Sequence, residues 1–180
     1  MNEKLRAYAF QCFTHEEVIR INKEIKRNIT EKEHSSKTAI TASKKGEFFH
    51  VLCRPLMDII HPWLYQCQLI NKNVFGYDID WFFHLEKFNY NVYGENGTYG
   101  WHIDANNENT PMDMKLTCLL NLSEEPYEGG EFYMINSTEE KKFTSGMGLI
   151  INSLIAHKVT PITKGERITL TYWALGPNWR

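Results

Sequence analysis

The sequence predicts a mostly β fold, a sandwich or jelly roll with N-terminal helices packed on one sheet. Three observations predict it. The apolar period is helical before about residue 72 and becomes two from Trp81 onward. Turn chemistry then recurs at short intervals, at Pro126, Gly129-Gly130, Ser145-Gly146 and Pro161. Aromatics are in excess, with 5 Trp, 9 Tyr and 10 Phe, residue types that favour strands and lined pockets.

Each element follows from local pattern. Thr14-His15-Glu16-Glu17 spells a capping box, with Thr14 as N-cap and Glu17 reaching back. Val18, Ile21, Ile25 and Ile29 then recur at three- and four-residue steps and give one helix an apolar face. Residues 31–46 are polar and read as a connection. A second helical zone is expected over residues 48–71, with Pro55 and Pro62 as first-turn residues or breaks. Phe88, Tyr90 and Val92 alternate with Asn89, Asn91 and Tyr93, the mark of a strand with two different faces. Residues 94–100 form a glycine-bearing turn, and strands are expected over 101–104, 114–122, 131–135, 148–152 and 167–174. With no repeat, linker or low-complexity segment, residues 1–180 are expected to form one domain. Residues 1–72 would be its helical support and 81–176 its jelly-roll core.

Composition excludes several classes. A chain of 180 residues buries about 70% of its unfolded surface, enough for a core without staples. Hydrophobic residues at 42% and charged residues at 23% are globular values. No apolar stretch approaches the roughly 18 residues of a membrane helix, so no membrane partner is expected. Lys plus Arg is 20 against Asp plus Glu 22, a net charge of −2 that argues against nucleic acid. Lys44-Lys45 and Lys141-Lys142 read as solvated charge rather than a basic groove. Cys12, Cys53, Cys67 and Cys118 never form a C-x-x-C pair. With no secretory signal in residues 1–13, a reduced, cytoplasmic protein is expected.

Seven histidines invite a search for metal ligands. In a strand, residues two apart point to the same side, so an H-x-[D/E] pair offers an imidazole and a carboxylate to one ion. A histidine from a distant strand completes a facial set with open positions for ligands. His15-x-Glu17 falls at a helix start, where Glu17 already caps. His84-x-Glu86 lies in an aromatic run with no nearby loop and reads as an edge or partly buried polar pair. His102-x-Asp104 follows a glycine turn and precedes a polar loop, at the mouth of a strand. The third ligand then falls to His157, 53 residues beyond Asp104. Downstream, alternation places Arg167, Thr169, Thr171 and Trp173 on one strand face and Ile168, Leu170 and Tyr172 on the other. An inward arginine needs an anionic partner. Either a protein carboxylate or a bidentate ligand carboxylate, assisted by the Thr169 hydroxyl, satisfies it.

In this order and spacing the residues resemble the iron(II)- and 2-oxoglutarate-dependent dioxygenases, in their prolyl 4-hydroxylase-like branch. The resemblance runs from Phe88 to Trp173. It comprises Tyr93 nine residues before His102, the His102-x-Asp104 pair, the strand 116–122, Gly129-Gly130-Glu131-Phe132, His157-x-Val159-x-Pro161, and Arg167 with Trp173 six residues beyond. Two positions depart from the family. The turn glycine sits one place later than in collagen-type enzymes, and Asn121 stands where oxygen-sensing enzymes often carry a co-substrate tyrosine.

The resemblance implies a double-stranded β-helix with Fe(II) held by His102, Asp104 and His157. It also implies 2-oxoglutarate as co-substrate, its distal carboxylate on Arg167 with Tyr93 and Thr169 assisting. O2 is consumed, ascorbate is an optional reductant, and 2-oxoglutarate is decarboxylated to succinate and CO2 as an unactivated C–H bond is hydroxylated. A prolyl residue in a peptide or protein is the leading substrate expectation. A small molecule or nucleobase is the alternative, and so is a non-catalytic binding module. Loops at 94–100 and 105–113 flank the ligand pair as candidate lids, and Trp101 and Trp173 are candidate pocket walls. Because ligating histidines must be unprotonated, metal affinity is expected to fall below about pH 6.5.

Overall fold

In the computed structural model, residues 7–32, 44–81, 87–104, 112–135 and 143–179 are described. The strands are β1 (Ala7–Gln11), β2 (Ile29–Lys32), β3 (Lys44–Lys45), β4 (Glu47–Leu52), β5 (Lys87–Tyr93), β6 (Thr98–His102) and β7 (Met112–Asn121). They continue with β8 (Glu128–Gly129), β9 (Phe132–Met134), β10 (Met147–Asn152), β11 (His157–Val159), β12 (Ile162–Lys164) and β13 (Arg167–Pro177). Helices α1 (His15–Arg27) and α2 (Met57–Ile70) intervene early, α2 preceded by a 3-10 turn at Arg54–Leu56.

Seven strands form the major sheet in the order β1-β10-β7-β13-β5-β4-β2, and four form the minor sheet in the order β3-β6-β11-β9. Strands β8 and β12 pair separately. All pairings are antiparallel. This is the jelly roll the sequence predicts, with both helices on the outer face of the major sheet.

Alternation decides which side chains meet the helices. Leu116, Cys118 and Leu120 of β7 and Ile168, Leu170, Tyr172 and Ala174 of β13 pack with Val18, Ile21 and Ile25 of α1 and with Ile60, Trp63, Leu64 and Cys67 of α2. Each such aliphatic side chain contributes about 1.5–3 kcal/mol on burial. The other face of the major sheet meets the minor sheet around Leu119, Phe132, Met134, Leu149, Ile151 and Val159. The capping box is present: the Thr14 N–H donates to Glu17 Oε2 at 2.8 Å, and the Glu17 N–H donates back to Thr14 Oγ1 at 3.4 Å.

Several boundaries differ from expectation. The helix stops at Arg27, with Asn28 as C-cap, so Ile29 opens β2 instead of extending the apolar face. Residues 47–52 form a strand, not the start of a helix. Phe48 and Val51 are both buried, at 2% and 0% exposure, but in different clusters on opposite faces. A strand covered on both faces imitates helical spacing. Strand β6 begins at Thr98, inside the expected turn. The expected pair His84 and Glu86, loop residues 105–111 and Lys141-Lys142 lie outside the described residues. No described helix is long and apolar enough to cross a membrane.

Candidate metal centre and adjoining cavity

Register brings the predicted ligands together. His157 of β11 stands directly opposite His102 of β6, and the two rings are 4.1 Å apart between centroids. Asp104 lies just beyond β6, its backbone N–H donating to the Ser153 carbonyl at 3.1 Å. Its Oδ1 is 3.6 Å from His102 Nε2 and its Oδ2 is 3.5 Å from His157 Nε2. One ligand atom from each of the three falls within 4.8 Å of the others, so the trio could hold a metal ion. Among the described residues it is the one such group.

Neighbouring groups aim these atoms. His102 Nδ1 lies 2.8 Å from the Gly100 carbonyl and His157 Nδ1 lies 2.9 Å from the Ile155 carbonyl. A carbonyl only accepts, so each Nδ1 carries the proton and each Nε2 lone pair faces the centre. Stacking holds the ring planes, Tyr99 on His102 at 3.5 Å and Phe132 on His157 at 5.2 Å. The Thr117 hydroxyl donates to Asp104 Oδ2 at 2.7 Å and sits 3.1 Å from Ser153 Oγ. With its proton on Asp104, Thr117 accepts from Ser153.

Electrostatics also favour an open lone pair. Burial first, then the neighbouring His157, pull the His102 imidazole down to about 4, against Asp104 and the Gly100 hydrogen bond; Lys44 adds a smaller push downward. His102 therefore stays unprotonated to lower pH than the ordinary imidazole value assumed in the sequence-based expectation.

Arg167 occupies the same cavity at its far end. The cavity is lined by Lys44, Asn91, Tyr93, Thr169, Thr171 and Trp173 as well as by the trio, and its enclosed volume is about 40 Å³. Arg167 stands opposite Tyr93 in the β5–β13 register, its Cζ 5.6 Å from the Tyr93 ring and 5.5 Å from the Phe143 ring. It is 2% exposed, its Nε has no hydrogen-bond partner, and among the described residues no carboxylate pairs with it. Of the two sequence-based readings, a protein carboxylate therefore finds no support among the described residues. A buried guanidinium without an anion is unstable on its own terms and fits an incoming carboxylate. Gly130 makes room for it. Its φ is +67°, and a Cβ there would lie 3.1 Å from Arg167 Cδ and 2.3 Å from Ile162 Cδ1.

Other sequence-based expectations resolve individually. Thr169 lines the cavity, whereas the Asn121 side chain donates to the Phe143 carbonyl at 2.8 Å and to the Tyr127 hydroxyl at 3.1 Å, and so ties loops together. Trp173 lines the cavity with a buried, unpartnered Nε1–H. Trp101 does not; it is 46% exposed on the outer face beside Lys158. His15 and Glu17 remain at the start of α1. Lys44 is not the solvated charge expected, because it is half-buried with its Nζ 3.7 Å over the Phe48 ring at the cavity wall. Thr117, Ser153 and Asn91 were missed as site residues, since only cross-strand register brings them there, and Thr171 was placed on the Arg167 face by alternation but given no role.

A second, larger cavity of about 850 Å³ lies beyond Phe132 and Phe143 and is lined by Glu124, Glu125, Glu128 and Glu131. Three of these carboxylates are engaged: Glu124 by Asn22 and Lys26, Glu128 by Lys164, and Glu131 by Thr160. Convergent ligand chemistry belongs to the smaller cavity.

Comparison with known proteins follows the same segment. The sequence pattern of the 2OG-Fe(II) oxygenase superfamily matches residues 88–175. A PKHD-type hydroxylase from Alteromonas mediterranea is 41% identical over 71 residues, which cover 36% of this chain and 31% of that protein. The match thus spans under a third of the relative's length. The viral collagen prolyl hydroxylase of Paramecium bursaria Chlorella virus-1, in its 2OG complex, superposes with a TM-score of 0.69 at 15% identity, covering 96% of this chain and 97% of that one. A Pseudomonas putida prolyl-4-hydroxylase gives 0.64 at 17% identity, with 96% and 93% covered. A Trichoplax adhaerens prolyl hydroxylase, solved with a hypoxia inducible factor oxygen degradation domain peptide fragment, gives 0.66 at 16%, with 96% and 84% covered. These structural likenesses establish a shared fold. Residues 88–175, which carry the trio, the arginine and the strands between them, are thus the segment similar to the 2OG-Fe(II) oxygenase superfamily.

Proposed function

We propose that this chain is an Fe(II)- and 2-oxoglutarate-dependent oxygenase that hydroxylates an unactivated C–H bond, with a prolyl residue in a peptide or protein as substrate. The observation that carries it is the pairing of two features in one cavity. A two-histidine, one-carboxylate trio lies at one end, and at the other lies a buried arginine with no carboxylate partner among the described residues.

The donor set suits the metal. Two neutral imidazoles and one carboxylate on one side of an ion leave it a net single positive charge and free positions for a chelating dianion. His102, Asp104 and His157 hold Fe(II), and Thr117 fixes the Asp104 carboxylate by the hydrogen bond to Oδ2. Arg167 takes the distal carboxylate of 2-oxoglutarate, with the Thr169 hydroxyl and Tyr93 beside it. Bound together, Fe(II), 2-oxoglutarate and O2 supply the oxidant for C–H hydroxylation, with succinate and CO2 as co-products. Tyr99, Phe132 and Trp173 shield that chemistry from water. The prolyl assignment draws on the PKHD-type relative and the prolyl hydroxylases among the structural neighbours. Ascorbate serves as an auxiliary reductant.

Anaerobic addition of Fe(II) and 2-oxoglutarate tests the centre by a weak visible charge-transfer band, lost in His102→Ala and Asp104→Ala. Succinate release on admitting O2 tests turnover. Peptide libraries searched for mass gain of one oxygen atom on proline test the substrate. Hydroxylation confined to free amino acids or nucleobases refutes the prolyl assignment, and metal binding without succinate release refutes catalysis.

A further inference from the structure

Asn91 has no assigned part in the chemistry above, yet its side chain lines the same cavity and is only 6% exposed. It stands opposite Thr169 in the β5–β13 register. Its Nδ2 donates to Thr171 Oγ1 at 2.9 Å and lies 3.4 Å from Thr169 Oγ1. The Asn89 carbonyl, 3.5 Å from the same nitrogen, can only accept, which fixes the end of the amide that faces the threonines.

The consequence lies in the threonine protons. A hydroxyl oxygen that accepts from an amide N–H has its own O–H directed elsewhere. Thr169 and Thr171 are 1% and 5% exposed, and among the described residues no group accepts from either hydroxyl. Two buried O–H donors therefore stand on the β13 face that also presents Arg167, with their acceptor sides occupied by Asn91. Thr171 is one rung nearer the trio than Thr169. The next rung, Trp173, stands opposite Thr117, whose hydroxyl bonds Asp104.

We propose that Asn91 is a positioning residue for the anionic co-substrate: it holds the Thr169 and Thr171 hydroxyls as donors, so that with Arg167 they form a donor-only wall. A carboxylate, which has only acceptors, is matched by that wall, whereas the O–H of an alcohol or the N–H of an amide would face donors there. Thr171 becomes a second hydroxyl contact to the ligand. The inference rests on the reading of 2-oxoglutarate as co-substrate.

Calorimetric titration of 2-oxoglutarate into Mn(II)-loaded protein tests it, with Mn(II) affinity and thermal unfolding measured alongside. Asn91→Asp keeps the shape but turns both hydroxyls toward its own carboxylate, and is expected to lose about a hundredfold in 2-oxoglutarate affinity. Thr171→Val is expected to lose about tenfold, and Thr171→Ser to retain wild-type affinity, with Mn(II) binding unchanged throughout. If Asn91→Asp does not fold, the Thr171→Val and Thr171→Ser pair decides. Wild-type affinity in the Asn91→Asp and Thr171→Val proteins, alongside its loss in Arg167→Ala, overturns the role of Asn91 and leaves the co-substrate reading standing. Failure of the wild-type protein to bind 2-oxoglutarate overturns both.

Discussion

Thr117 carries more of the candidate centre than its chemistry suggests, because its single proton is committed to Asp104 Oδ2 at 2.7 Å. Without that hydrogen bond the carboxylate is free to rotate away from the two imidazoles. Thr117→Val, nearly isosteric, is expected to weaken Mn(II) or Fe(II) affinity by about 10–100-fold, while Thr117→Ser preserves it, both read by chelator competition. His102 sets a separate, metal-free test. Its folded pKa of about 4 lies below the ordinary 6.5, so between these values the unfolded chain binds the additional proton. Stability contributed by the neutral imidazole is complete above pH 6.5 and declines as pH falls toward 4. Urea unfolding of the metal-free protein should show this slope, and His102→Gln should flatten it; an unchanged slope would show that His102 is not its source.

Among the elements, α1 tests how far a local signal sets stability without touching the site. Its capping box closes two otherwise unsatisfied N–H groups. Thr14→Ala should therefore cost about 1 kcal/mol in denaturant unfolding and leave 2-oxoglutarate binding unchanged. That box was legible because it is written in four adjacent residues. The two faces of β13 were legible for a similar reason, since period-two alternation over 167–173 sorts Arg167, Thr169 and Trp173 from Ile168 and Leu170 without reference to another strand. Strand β4 was not legible, because burial of Phe48 and Val51 on opposite faces erases the alternation that marks a strand. Thr117 and Asn91 were missed for another reason. Their partners, Asp104 and Thr171, are supplied by pairing register and chain reversal, which no single segment encodes.

For the molecule as a whole, the proposed function implies that the cavity trades stability for ligand binding. Arg167 is buried with no carboxylate partner among the described residues, so Arg167→Met should raise the unfolding midpoint of the metal-free protein. The same substitution should abolish the further rise that 2-oxoglutarate gives the Mn(II)-loaded wild type, about 2.7 kcal/mol at roughly a hundredfold excess over Kd. A midpoint lowered in the apo variant would mean that the guanidinium is satisfied within the protein. The placement of β13 between β5 and β7 extends the point. One strand serves as both wall and keel, with cavity residues on one side and the helix-packed core on the other. Deleting a single residue from it would put Ile168 and Leu170 into the cavity and drive Arg167 into the helix-packed core. Between Arg167 and Trp173, changes in chain length that no bulge absorbs must therefore come in steps of two, and the reach of the cavity is quantised by the pleat.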